Sequence, residues 1–351
     1  MKKRVYGLDL VRFIAIFFVI LVHSFLNDGF NELPLNSIKM FILLFIRCLS
    51  HCGVLLFIIL TGYLCSNREI NKKHYYSIFK ILITYFLVSI ITLIFRKCYL
   101  NDEVSVITLI ANIFNFTTAP YAWYVEMYIG LFFLIPFLNI LYKNINTRKN
   151  KRLLIITLFL FSSLFPTLDK IMIAGHSINL YPDWWSLLYP ILLYYVGSYI
   201  REYKINFNKY VNIAIIILLN FLNAFVLFFY SQGKSVNDLS IDNNYAVSII
   251  LAILIFIQFY NVTTKNIKIE KNVSFYSKYS FGAYLISYCF DVLLYRNAKN
   301  IFSETHYLII STFCIPFLVL FLSTIVSFLV EKISKLIYNL AIIKRESMNN
   351  S

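Results

Sequence analysis

Charge is scarce in this chain. Asp, Glu, Lys and Arg make up only 14% of its 351 residues, while 60% are hydrophobic. That balance excludes a soluble globular protein of this length and implies a polytopic membrane protein. No polar stretch is long enough to form a separate soluble domain. The six cysteines, Cys48, Cys52, Cys65, Cys98, Cys289 and Cys314, fall in or beside apolar runs without metal-ligand spacing. They read as small apolar packing residues, not as a metal site or a disulfide framework. A signal-peptidase site is also lacking. The opening Met-Lys-Lys-Arg resembles a secretory leader, but Phe25-Leu-Asn-Asp-Gly29 is a poor cleavage site and Asp9 and Arg12 interrupt the run, so a retained first span is expected. No internal repeat is visible, which weakens a transporter built from inverted halves.

What is present is a series of apolar runs near membrane-spanning length. They predict an all-α bundle of about ten transmembrane helices, at 8–27, 38–64, 78–95, 121–142, 153–168, 185–200, 210–230, 244–262, 279–295 and 307–330. The segment 104–117 is too short to span and reads as an interfacial or re-entrant helix. With the N-terminus inside, the inner segments hold 22 of the 32 Lys and Arg residues and the outer ones 7. This positive-inside bias predicts both termini in the cytoplasm. The net charge of +15 is then mostly a topology signal and an attraction to anionic lipid heads, not evidence for nucleic acid. One membrane domain is expected over 1–335, with a short cytoplasmic tail over 336–351.

The first run holds the sharpest feature. Ionisable side chains inside a membrane span are costly and mark function by default. Arg12 and His23 lie eleven residues apart, and Asp9 lies three before Arg12. On a helix this spacing returns to within about 20° of the same face, at an axial separation of about 16 Å. Asp9 and Arg12 would sit near the cytoplasmic surface and His23 in the outer half. His23 could be a packing histidine or a general base, since a neutral imidazole can take a proton from a hydroxyl. Glu126 is one carboxylate that could orient it. Arg12 could snorkel, pair with Asp9, or hold a phosphate entering from the cytoplasm.

Other constellations are more open. The second run carries Arg47 and His51, four apart on one helix face. Arg68, Lys72, Lys73, His74 and Lys80 follow it, either as an ordinary positive-inside loop or as a cradle for an anionic cofactor. Trp123 and Tyr124 open the fourth run, with Glu126 just inside. Such aromatics are normally interfacial anchors, but they can also stack on sugar rings. Asp183-Trp184-Trp185 offers the same two readings.

Taken in order, these pieces resemble the integral-membrane acyltransferase-3 family. Gly7-Leu-Asp-Leu-Val-Arg-Phe-Ile-Ala15 through His23 matches its first-span motif. Val54-Leu-Leu-Phe-Ile-Ile-Leu-Thr-Gly-Tyr-Leu64 matches its second-span end. Trp123-Tyr-Val125, Gly130-Leu-Phe-Phe-Leu-Ile-Pro-Phe-Leu138, Tyr194-Tyr-Val-Gly-Ser-Tyr199 and Ser280-Phe-Gly-Ala-Tyr-Leu-Ile286 resemble later motifs. The chain departs at Leu55 (family Pro), Tyr121 and Ser287 (often His), and in its scattered cations where an arginine pair often follows the second span.

The resemblance implies an O-acetyltransferase of the bacterial cytoplasmic membrane. Acetyl-coenzyme A would be the donor, and a surface polysaccharide or lipid-linked glycan the acceptor. His23, Arg12 and Asp9 are then the catalytic candidates. Arg12, Arg68, Lys72, Lys73 and Lys80 are the donor-binding candidates, and Trp123, Tyr124, Glu126, Arg47 and His51 the acceptor-binding ones. No metal is expected. The rival readings are a polysaccharide polymerase or flippase, which would more usually carry a large basic outer loop, and a non-catalytic sensor or transporter, which would not need the Arg12–His23 stripe.

Overall fold

The expected spans fold mainly as helix, as backbone in hydrocarbon must satisfy its own hydrogen bonds; the last, 307–330, is interrupted at Cys314. The computed structural model describes residues 4–102, 105–169, 182–236, 243–302 and 304–349; the side chains of 106, 183, 304–306 and 341–349 lie outside the described set. Among the described residues there are helices and one isolated bridge, Pro34 with Ser235, but no strand. The chain divides into two units, Met1–Arg68 with Phe137–Ser277, and Glu69–Pro136 with Lys278–Ser351.

The first unit opens with α1 (Tyr6–Asn27), a single unbroken helix. The second run forms two helical pieces, α2 (Ile38–Ser50) and α3 (Cys52–Cys65), meeting at His51. Ser37 starts α2 by accepting from the Met40 amide, the N-cap role for which serine is suited. The second unit holds α4 (Lys72–Tyr76), α5 (Ile78–Tyr99), α6 (Val106–Phe114) and the start of α7 (Trp123–Lys143). The division falls after Pro136, inside α7. The first unit continues with α8 (Arg148–Phe159), a π-turn over Leu160–Leu164, α9 (Phe165–Asp169), α10 (Tyr189–Tyr203), α11 (Lys209–Tyr230) and α12 (Ala246–Phe259). Asn208 caps α11 by accepting from the Tyr210 and Val211 amides. The division falls again after Ser277, inside α13 (Ile267–Ile301); α14 (Glu304–Phe313) and α15 (Ile315–Asn349) complete the second unit.

Among the described residues, seven helical stretches are long and apolar enough to cross a membrane: Tyr6–Asn27, Ile38–Cys65, Lys72–Tyr99, Pro120–Lys143, Arg148–Asp169, Lys209–Tyr230 and Ile315–Leu340. The other three expected spans fall on α10, α12 and the middle of α13. Helices α10 and α12 have 15 and 14 residues, short against a hydrocarbon layer of about 30 Å at about 1.5 Å per residue. Helix α13 is long, but it opens with Lys268, Glu270 and Lys271. The 104–117 segment gives only the nine-residue α6. No helix end falls at 335/336, because α15 runs through that position.

In the first unit the core is built around α3, which packs against α1, α10 and α12. Small residues set these approaches, as is usual between helices in lipid. A Cβ at Gly62 would overlap the Tyr194 carbonyl on α10, and one at Gly197 would overlap the Ile59 carbonyl on α3. In the second unit α5 packs on α15, with the Thr84 hydroxyl donating to Ser334 Oγ at 3.0 Å. The Tyr85 hydroxyl donates to the Ile113 carbonyl at 2.6 Å and ties α6 to α5.

Candidate functional site

The polar stripe of α1 is closed at its lower end by a buried network. Asp9 is 5% exposed. Its carboxylate accepts from Arg4 Nε at 2.8 Å, Arg4 Nη2 at 2.6 Å and the Ser277 hydroxyl at 2.8 Å. Arg12 Nη1 donates to Ser277 Oγ at 3.2 Å and lies 3.7 Å from Asp9 Oδ1. Ser277, at the end of the first unit's share of α13, therefore links both guanidinium groups to one carboxylate. The carboxylate has two cations to neutralise and fixes where Arg12 stands. Asp9 thus fits a positioning role better than a direct part in bond-making.

His23 stands eleven residues further along the same helix and is 7% exposed. Asn27 Nδ2 donates to its carbonyl at 2.7 Å. His51 has both Arg47 and His23 as electrostatic neighbours. The two pieces of the second run thus contribute their junction to the neighbourhood of His23. Arg47 is 7% exposed, and its Nε donates to Asn31 Oδ1 at 2.9 Å.

Apart from Arg12, the expected donor-side cations are surface residues. Arg68, in the first unit, is exposed, and its carbonyl and that of Cys65 accept from Asn139 Nδ2 at 2.8 and 2.9 Å. Asn139 Oδ1 in turn accepts from the Tyr194 hydroxyl at 2.6 Å. The turn carrying Arg68 is therefore held by buried side chains. Arg201 Nη1 donates to the Tyr63 and Leu64 carbonyls, as suits a cation at a helix C-terminus. In the second unit Lys72, Lys73 and Lys80 are exposed, and Lys80 Nζ lies 4.0 Å from Glu331. His74, among them, is buried. It stacks on Phe132 with centroids 4.2 Å apart, and its Nε2 lies 3.0 Å from the Phe132 carbonyl.

The aromatic candidates separate by burial. Trp123 is 36% exposed, whereas Tyr124 is 8% exposed and packs edge-on against Tyr284 at 5.8 Å. Glu126 is exposed. Trp184 and Trp185 are exposed, and the side chain of Asp183 lies outside the described residues. Beside these stands a residue the sequence reading missed. Asp291, fully buried on α13, accepts from the Tyr121 hydroxyl at 3.0 Å. A lone carboxylate in Tyr288-Cys-Phe-Asp-Val-Leu-Leu294 carries the same signal of cost as Arg12 and was open to the same argument. Asn31, Asn139 and Ser277 carry no such signal, since polar residues of their kind are common at helix ends and turns. Ser287, where the late motif often has His, donates locally to the Tyr284 carbonyl. No group of His, Cys, Asp and Glu able to hold a metal occurs among the described residues.

A multi-pass helical protein with buried ionisable groups on its first span is the class these features define. More particularly, the acyltransferase-3 family profile, an acyltransferase domain, matches residues 5–332, and the chain belongs to that family. It is a membrane acyltransferase. No curated protein and no solved structure gives a significant match.

Proposed function

We propose that this acyltransferase is an O-acetyltransferase of the bacterial cytoplasmic membrane. It moves an acetyl group from cytoplasmic acetyl-coenzyme A to a hydroxyl of a surface polysaccharide or a lipid-linked glycan. The observation that carries this reading is the pairing of Arg12 and His23 on the unbroken helix α1, about 16 Å apart along its axis. That length is of the order of the pantetheine arm. The donor's phosphates carry too much charge to cross lipid, so they stay at the cytoplasmic side, where Arg12 and the exposed Arg68 offer charge-assisted hydrogen bonds. Lys72, Lys73 and Lys80 are further candidates by charge alone. The slender thioester arm reaches toward His23.

The chemistry then needs one proton relay. The His23 imidazole takes the proton of the acceptor hydroxyl as its oxygen attacks the thioester carbonyl. The tetrahedral adduct collapses, the carbon–sulfur bond breaks, and the thiolate leaves and receives the proton. Asp9 supports the step by fixing Arg12. Purified protein incubated with acetyl-coenzyme A and a glycan acceptor is expected to release free thiol and yield acetylated glycan. A polymerase or flippase would do neither, and absence of thiol release with every hydroxyl acceptor offered would overturn the proposal.

A further inference from the structure

The second run buries a permanent cation that pairs with no carboxylate among the described residues. Arg47 Nε is held by Asn31, a neutral partner, and its Nη1 is buried without a hydrogen-bond acceptor. One turn on, His51 Nε2 is also buried without a partner. Lone charges of this kind in an apolar environment are expensive and persist where they serve a ligand or reaction.

The site is built, not incidental. Asn31 sits on a short 3-10 turn, Phe30–Glu32, whose first amide donates to Asp28 Oδ1 at 2.9 Å and whose Phe30 ring packs on Phe25 at 5.1 Å. The turn fixes Asn31, and Asn31 fixes the guanidinium plane. The Arg47 carbonyl accepts from the His51 amide at 3.2 Å, the ordinary helical bond, and from the Ser50 hydroxyl at 2.7 Å, so regular helix carries Arg47 up to His51. The charge distribution assigns the connection between α1 and α2 to the outer face, the side of the acceptor.

We infer that Arg47, steadied by Asn31 and joined by His51, forms a recognition site for an anionic group of the acceptor, a carboxylate or a phosphate. The inference rests on the acceptor side of the transfer reaction proposed above, and it makes that acceptor an acidic glycan. A guanidinium offers two parallel N–H groups to a carboxylate or phosphate, and His51 in the Nε2-protonated tautomer adds a third donor. A ground-state anion suits the site better than a transient oxyanion, because it offsets the permanent charge for as long as the acceptor is bound.

The test is binding, which does not depend on acetyl transfer. Titration calorimetry on full-length protein in detergent uses three probes: a disaccharide containing glucuronic acid, its neutral uronamide counterpart, and a sugar 1-phosphate. Wild type is expected to bind the carboxylate probe or the phosphate probe at least tenfold more tightly than the uronamide, and the two anionic arms tell which group is read. Arg47→Gln should bring that preference to within twofold of none, while His23→Ala retains it in full. Arg47→Lys, which keeps the buried charge, guards against a folding failure of Arg47→Gln and is expected to lose three- to tenfold of the preference. Three results would each overturn the inference: no anion preference in wild type, an undiminished preference in Arg47→Gln or Arg47→Lys, or an Arg47→Gln protein that loses transfer rate while keeping the preference. Failure of the transfer reading itself would show as anion binding without thiol release.

Discussion

At the scale of single residues the ionisable groups divide by what holds them. Asp9 is bound by Arg4, Arg12 and Ser277 together. Asp9→Asn is therefore expected to lower stability by about 1–3 kcal/mol, since hydrogen bonds to charged groups are lost and two cations stand closer to alone. It should also raise the KM for the donor more than it lowers kcat, because Arg12 loses its anchor; steady-state kinetics with thermal unfolding in detergent checks both. His74 serves packing, through its stack on Phe132. His74→Phe keeps that stack and should hold transfer within about twofold of wild type at a stability cost of about 1 kcal/mol. A tenfold loss of rate would place His74 in the chemistry instead. The legibility of these residues follows one rule. Arg12 and His23 stand out in the string because an ionisable side chain in an apolar run is itself the signal. The partners that give them their setting do not: Ser277 lies 268 positions from Asp9, and nothing local marks it.

Among the elements, α1 folds as its composition dictates, as one unbroken helix that carries Asp9, Arg12 and His23. The second run folds as two helical pieces that meet at His51. Its apolar length announces a span, and Ile38–Cys65 is one stretch long enough to cross; the division at His51, whose own backbone is helical, is a local feature that hydropathy does not encode. The contact between α3 and α10 is more readable after the fact. The Thr-Gly-Tyr and Val-Gly-Ser segments place Gly62 and Gly197 where the helices meet, each with no room for a side chain. Gly62→Ala and Gly197→Ala should each destabilise the protein by about 1–3 kcal/mol through overpacking. Thermal unfolding in detergent reads the effect, and a neutral outcome at both positions would mean that the helices separate without cost.

For the molecule as a whole, the helical class and the membrane setting follow from apolar content and run length alone. The count of crossings is harder. Among the described residues seven stretches qualify by length and composition, while α10 and α12 are shorter than the usual span, and a 15-residue helix can complete a crossing only with its flanking turns or a thinned bilayer. The distribution of Lys and Arg predicts an even number of crossings with both ends inside. A reporter active only in the cytoplasm, fused after Ser351, is expected to be active, and one fused in the 231–243 segment inactive; the reverse pattern would invert the donor and acceptor sides of the whole scheme.

That scheme turns on His23 as the base that makes the acceptor hydroxyl nucleophilic. The direct measurement is acetyl transfer by purified His23→Ala protein, followed as thiol release and as acetylated glycan by mass spectrometry, on samples whose thermal unfolding matches wild type. Loss of a general base predicts a fall of about 10²- to 10⁴-fold, with the preference for anionic probes intact. A well-folded His23→Ala protein that acetylates its acceptor at the wild-type rate would contradict the account.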